Sequence, residues 1–78
     1  MNVGELDNLN FQTGKMDEHS FFGLLLRAAY KADRLNTERL RQAFPEHIES
    51  VERWKTERGY AEKLMSATPK DLDGKRIE

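Results

Sequence analysis

At 78 residues the chain has room for one domain at most. Thirteen basic against fourteen acidic residues leave a net charge of −1, so no bulk field draws nucleic acid or an acidic membrane surface. The absence of cysteine excludes disulfides, thiolate metal sites and a cysteine nucleophile, and a cytoplasmic location is the default expectation.

Residues 1–16 scatter Val3, Leu6, Leu9 and Phe11 among Asn, Gly, Asp and Thr. The spacing Leu6-x-x-Leu9-x-Phe11 sustains no period, so this stretch reads as an irregular N-terminal arm.

A first helix is predicted from Glu18 to Ala32. Asp17 is its expected N-cap, and Glu18 suits the positive end of the helix dipole. At about 100° per residue, its apolar positions cover roughly two-thirds of the circle. Only Ser20, Gly23, Arg27 and Lys31 close the remaining sector. A surface helix needs an apolar stripe little wider than ~100°, so this one must be wrapped by the rest of the chain or by another chain. The run is too short for a membrane span, which takes ~20 apolar residues. The acidic segment before it does not read as the basic start of a signal peptide. No membrane partner is expected.

A second helix is predicted over Arg34–Ala43, capped by Asp33. Leu40, Ala43 and Phe44 form its apolar edge, and Leu35 is expected to cover the joint with the first helix. Pro45 ends it, because the residue before proline is pushed out of helical geometry. The same proline suits the first position of a third helix, Pro45–Arg58. There Ile48, Val51 and Trp54 make one narrow stripe, and Glu49 precedes Arg53 in the favourable i,i+4 order. Gly59 is a left-handed stop, followed by a short turn of helix over Tyr60–Met65. From Ser66 the composition changes to that of a flexible tail. The expected architecture is all-α: a small three-helix bundle over residues 17–65, with an arm at 1–16 and a tail at 66–78. About a dozen apolar residues are available to bury, a thin core that favours self-association.

Chemistry leaves few marks. There is no glycine-rich phosphate loop, no G-x-S-x-G and no H-E-x-x-H. His19 and His47 have no second ligand at helical spacing and read as surface or cap residues. No catalytic residue, metal ligand or cofactor is assigned, and the chain does not read as an enzyme. Three binding readings stand instead. Trp54, Arg58 and Tyr60 have the make-up of a protein-binding hot spot, while Phe22, Leu26 and Tyr30 would form a self-contact. Arg27, Lys31, Arg34 and Arg41 would line up as a basic ridge for nucleic acid if the first two helices ran on. Tyr30 or Trp54 could stack on a nucleotide base held at an oligomer seam.

The segments Lys31-Ala32-Asp33-Arg34-Leu35-Asn36, Leu40-Arg41-Gln42-Ala43-Phe44-Pro45-Glu46 and Val51-Glu52-Arg53-Trp54 resemble small helical accessory proteins of bacteriophages and mobile elements. These share a K-A-D-x-x-N-x-x-x-L-x-x-A-F-P-E pattern followed by a Glu-rich helix with an aromatic. The resemblance covers about a third of the chain and transfers no site residue. It implies a phage accessory protein that binds, and inhibits, a host protein. The leading expectation is therefore a non-enzymatic, protein-binding helical module that forms a homo-oligomer. Nucleic-acid contact and nucleotide sequestration are the alternatives.

Overall fold

The computed structural model describes residues 1–67. Among them the chain forms five helices and no strand: α1 Val3–Gln12, α2 Phe21–Lys31, α3 Arg34–Ala43, α4 Pro45–Thr56 and α5 Tyr60–Ser66. The all-α class is that read from the sequence, but five helices replace the expected three. The tail expected at 66–78 lies, from residue 68 on, outside the described residues.

The largest correction is the arm. Most of residues 1–16 is a capped helix, α1. Asn2 accepts from the Glu5 amide at 2.7 Å, and the Glu5 carboxylate accepts from the Asn2 amide at 3.1 Å. This reciprocal pair satisfies two amides that a helix start otherwise leaves open. The helix turns Leu6, Asp7, Asn8 and Leu9 inward, so half of its buried face is polar. Its main packing partner is α4. The approach is close enough to require Gly4, where a Cβ would overlap the backbone of Glu46 and His47.

The next helix, α2, starts three residues later than predicted. Ser20, not Asp17, is the N-cap, accepting from the Gly23 amide at 3.1 Å. Asp17 instead accepts from the His19 amide at 2.9 Å. The chain folds back across the first turn of α2, and Gly23 seats directly on the Asp17–Glu18 backbone. A helix running through Glu18 could not make that contact.

Local signals place α3 and α4 as read. Asp33 accepts from the Asn36 amide at 2.8 Å, and Pro45 opens α4. That helix ends at Thr56, short of the predicted Arg58, and Gly59 turns the chain at φ 84°. The Glu49–Arg53 pair does not form: Arg53 grips Glu57 through two bonds of 2.6 and 2.9 Å, and Glu49 reaches Arg41 at 3.6 Å.

The core has two parts. Leu26, Ala29, Ile48 and Val51 are fully enclosed, with Phe11, Met16, Tyr30 and Leu40 around them. Leu9, Tyr60 and Leu64 form a second cluster beneath Trp54. Among the described residues no helix is long and apolar enough to cross a membrane.

Candidate docking surface

The predicted excess of apolar surface on α2 is real, but it lies on the opposite side from the one expected. Leu25, Leu26 and Ala29 face the core. Leu26, predicted for self-contact, is 0% exposed. Phe22 is half-buried with its ring stacked on His47 at 4.7 Å. Tyr30 is half-buried, stacked on Phe11 at 6.1 Å, and its hydroxyl donates to Asn8 at 2.8 Å. Leu26 is therefore closed to a partner, and Phe22 and Tyr30 bury most of their surface within the chain rather than offering it outward. The reason is α1: an irregular arm would have left that face open, whereas a helix closes it.

The open side carries Phe21 and Leu24, which are 64% and 50% exposed, with Ala28 exposed below them. The three are spaced i, i+3, i+7 and so lie along one stripe. Leu35, expected to cover the joint, is instead 60% exposed at the start of α3. A two-residue turn joins α2 to α3, yet both pack on α4 more than on each other. A groove of about 430 Å³ opens between them, with Ala28, Ala32 and Leu40 as apolar lining and Lys31, Asn36 and Arg39 as polar lining. Phe21 stands near the far end of α3, its ring 5.9 Å from that of Phe44.

Charge along this face is graded. Asp17 and Glu18 precede α2 in the chain, whereas Lys31 and Arg39 line the groove and Arg34 opens α3. None of those three cations has an ion-pair partner among the described residues. Two of the four residues of the predicted basic ridge are engaged. Arg27 pairs with Glu18 at 3.7 Å, and Arg41 with Glu38 and Glu49 at 3.6 Å each.

The predicted hot spot does not assemble. Tyr60 is only 1% exposed, with the Trp54 ring edge-on at 6.5 Å and the Arg53 guanidinium 4.3 Å above its face. Trp54 is half-buried, and Arg58 alone is exposed. Tyr60 is a core residue because α5 folds back over α1 and α4, bringing its hydroxyl to Ser50 and Glu5.

The sequence reading missed a chain of buried polar groups. Tyr30 donates to Asn8 Oδ1, and Asn8 Nδ2 donates to Ser50 Oγ at 3.0 Å. The Ser50 and Tyr60 hydroxyls meet at 2.8 Å, and Tyr60 donates to Glu5 Oε2 at 3.1 Å. Because the Tyr60 proton goes to Glu5, Ser50 is the donor to Tyr60, and the whole file runs in one direction. Beside it, His47 Nε2 lies 2.8 Å from Asp7 Oδ2, both residues buried. This corrects the surface reading of His47. Burial pushes the Tyr60 phenol up to about 12 and also raises that of Tyr30. Ser50 bonds Asn8 and Tyr60, and His47 bonds Asp7, so no serine–histidine pair of the hydrolytic kind forms. The network fastens α1 to α2, α4 and α5. Its one sequence signal was the Asn2-x-x-Glu5 spacing, which marks a helix start.

Comparison with protein-family models, curated proteins and solved structures returns no match, and the α2–α3 face is therefore read on its own chemistry.

Proposed function

We propose that this protein is a small non-catalytic binding module whose working surface is the α2–α3 face, and that it acts by docking protein there, self-association included. The carrying observation is Phe21 and Leu24 open along one stripe of α2, with Leu35 open at the start of α3, all at least half exposed, and an apolar groove lined by Lys31 and Arg39 between the two helices. Large apolar side chains left open in a group are unusual on a monomer and mark interaction sites. An interhelical groove rimmed by long cations is also a common receiver of a helix. The polar groups in the interior bond one another, which supports a structural rather than a catalytic role for them. The idea that the docked protein belongs to a host cell rests on the Lys31–Trp54 resemblance alone.

The test compares the wild type with Leu24→Asp. Circular dichroism should be unchanged, since Leu24 is half exposed and outside the core. Molecular mass by sedimentation and protein capture on the immobilised chain should both respond to the substitution. Equal mass and equal capture for the two proteins would remove the α2–α3 face as the working surface. Tight retention of nucleic acid that depends on Arg34, with no dependence on Leu24, would favour the basic-ridge reading instead.

A further inference from the structure

Resting on that reading, we infer that the occupant of the α2–α3 face is a second copy of this chain, laid antiparallel about a two-fold axis that passes between the two α2 helices, level with the midpoint of Leu24 and Ala28. Two independent gradients along the open edge of α2 point to this arrangement.

The first gradient is size. The edge begins with Phe21 and Leu24, both large and exposed, and continues with Ala28 and then Ala32 on the lining of the groove. A parallel partner would set bulk against bulk at one end and leave a gap at the other. An antiparallel partner sets Leu24 against Ala28 and Phe21 against the Lys31–Ala32 end, in both directions at once. The Phe21 ring then enters the partner's groove, over Ala28, Ala32 and Leu40, with the long side chains of Lys31 and Arg39 beside it. Close packing of helices depends on such large-into-small matching, and a cation near an aromatic face adds attraction.

The second gradient is charge. Asp17 and Glu18 fold back beside the first turn of α2, at Gly23, while Lys31 and Arg34 lie at and beyond its other end without ion-pair partners among the described residues. Antiparallel packing carries each acidic segment onto the other copy's Lys31 and Arg34. A parallel arrangement would bring like charges together. Complementary charge of this kind fixes orientation and register more than raw affinity. Glu18 already pairs with Arg27, but at 3.7 Å between exposed groups, a contact weak enough to yield. Because one patch meets itself, the contact is isologous and closes at two copies. A helix rises about 1.5 Å per residue, so Phe21 and Lys31 are separated by about 15 Å along α2. Antiparallel and parallel dimers therefore place different residues side by side.

The experiment uses the full chain. Sedimentation over a dilution series should give a dimer for the wild type. Leu24→Asp should give a monomer with unchanged circular dichroism. Glu18→Lys should weaken the dimer about tenfold, and adding Lys31→Glu and Arg34→Glu to the same chain should restore it. The sequence contains no cysteine, so Phe21→Cys and Lys31→Cys can be oxidised singly and as a mixture. The mixture should yield the 21–31 disulfide, and Phe21→Cys alone should not cross-link. A wild type that remains monomeric at the highest concentration overturns the second-copy inference. If Leu24→Asp nevertheless abolishes capture of a different protein, the docking surface itself stands. A dimer that survives Leu24→Asp overturns both. Self-cross-linking of Phe21→Cys overturns the antiparallel arrangement.

Discussion

The side-chain amide of Asn8 donates to the Ser50 hydroxyl at 3.0 Å, in the buried contact between α1 and α4. Asn8 is also the acceptor for Tyr30 from α2, so one amide ties three helices together. Asn8→Ala would leave the Tyr30 and Ser50 hydroxyls each short of a partner. Ser50 keeps its bond to Tyr60 and Tyr30 is half-buried, so the cost is that of the lost hydrogen bonds, ~0.5–1.5 kcal/mol each, and the variant should lose about 2 kcal/mol of unfolding free energy in urea. A loss below ~0.5 kcal/mol would show that the network contributes nothing to holding α1.

His47 and Asp7 form the second buried polar contact of the same interface, at 2.8 Å. His47→Ala removes the group facing a fully buried carboxylate and also the ring stacked on Phe22. Removing one side of a buried polar contact costs ~1–3 kcal/mol, a large share of a small domain's stability. His19→Ala, at an exposed position, should change stability by less than ~0.5 kcal/mol. Thermal unfolding of the two variants checks the contrast.

Stability should fall on the alkaline side. Tyr60 titrates at about 12 in the folded chain against an ordinary value of 10.0, chiefly because burial disfavours the phenolate. Above pH 10 the unfolded chain releases this proton while the folded chain keeps it, so unfolding gains. The contribution is whole below pH 10 and is lost as pH rises through 12. The raised Tyr30 acts in the same direction. Unfolding free energy measured across this window should decline less steeply in Tyr60→Phe. Identical slopes in variant and wild type would reject the assignment to Tyr60.

Two glycines should resist replacement by the best helix former. Alanine ordinarily stabilises a helix over glycine by about 1 kcal/mol. At Gly4 the added Cβ would overlap the Glu46–His47 backbone, and at Gly23 the Asp17–Glu18 backbone. Backbone cannot move aside as a flexible side chain can, so both substitutions should destabilise. A rise in melting temperature for Gly4→Ala would mean that α1 is not seated on the start of α4.

Neighbouring leucines on α2 should behave oppositely. Leu26 is fully enclosed, and Leu26→Ala should cost ~2–5 kcal/mol in transfer and cavity terms. Leu24 is half exposed, and in the dissociated chain Leu24→Ala should cost well under 1 kcal/mol, about what a surface substitution does. Urea unfolding at a concentration low enough to keep the chain monomeric makes the comparison.

The readable parts of the fold were those written in local chemistry. Asp33 before α3, Pro45 at the start of α4 and Gly59 before α5 each act on the backbone within a few residues of themselves. The inward stripe of Ile48 and Val51 was readable as well, because a helix always returns residues three apart to one side. Less of the candidate site was readable. The excess of apolar surface on α2 could be counted from the sequence, and Lys31 and Arg34 were singled out, though for another ligand. Phe21, Leu24 and Leu35 were not selected.

The sequence by itself determined that this chain is helical, where most of its helices stop, and that α2 has more apolar surface than one packing face uses. Those properties depend on covalent geometry and residue period alone. Only the tertiary structure decided that α1 exists as a packed helix, because Asp7 and Asn8 become interior residues once His47, Ser50 and Tyr30 come within hydrogen-bonding distance. By seating α1 on one side of α2, it also decided that Leu26 is buried and Leu24 is not. Which face of a helix meets solvent is set by its neighbours, and no periodicity within the helix encodes where those neighbours lie.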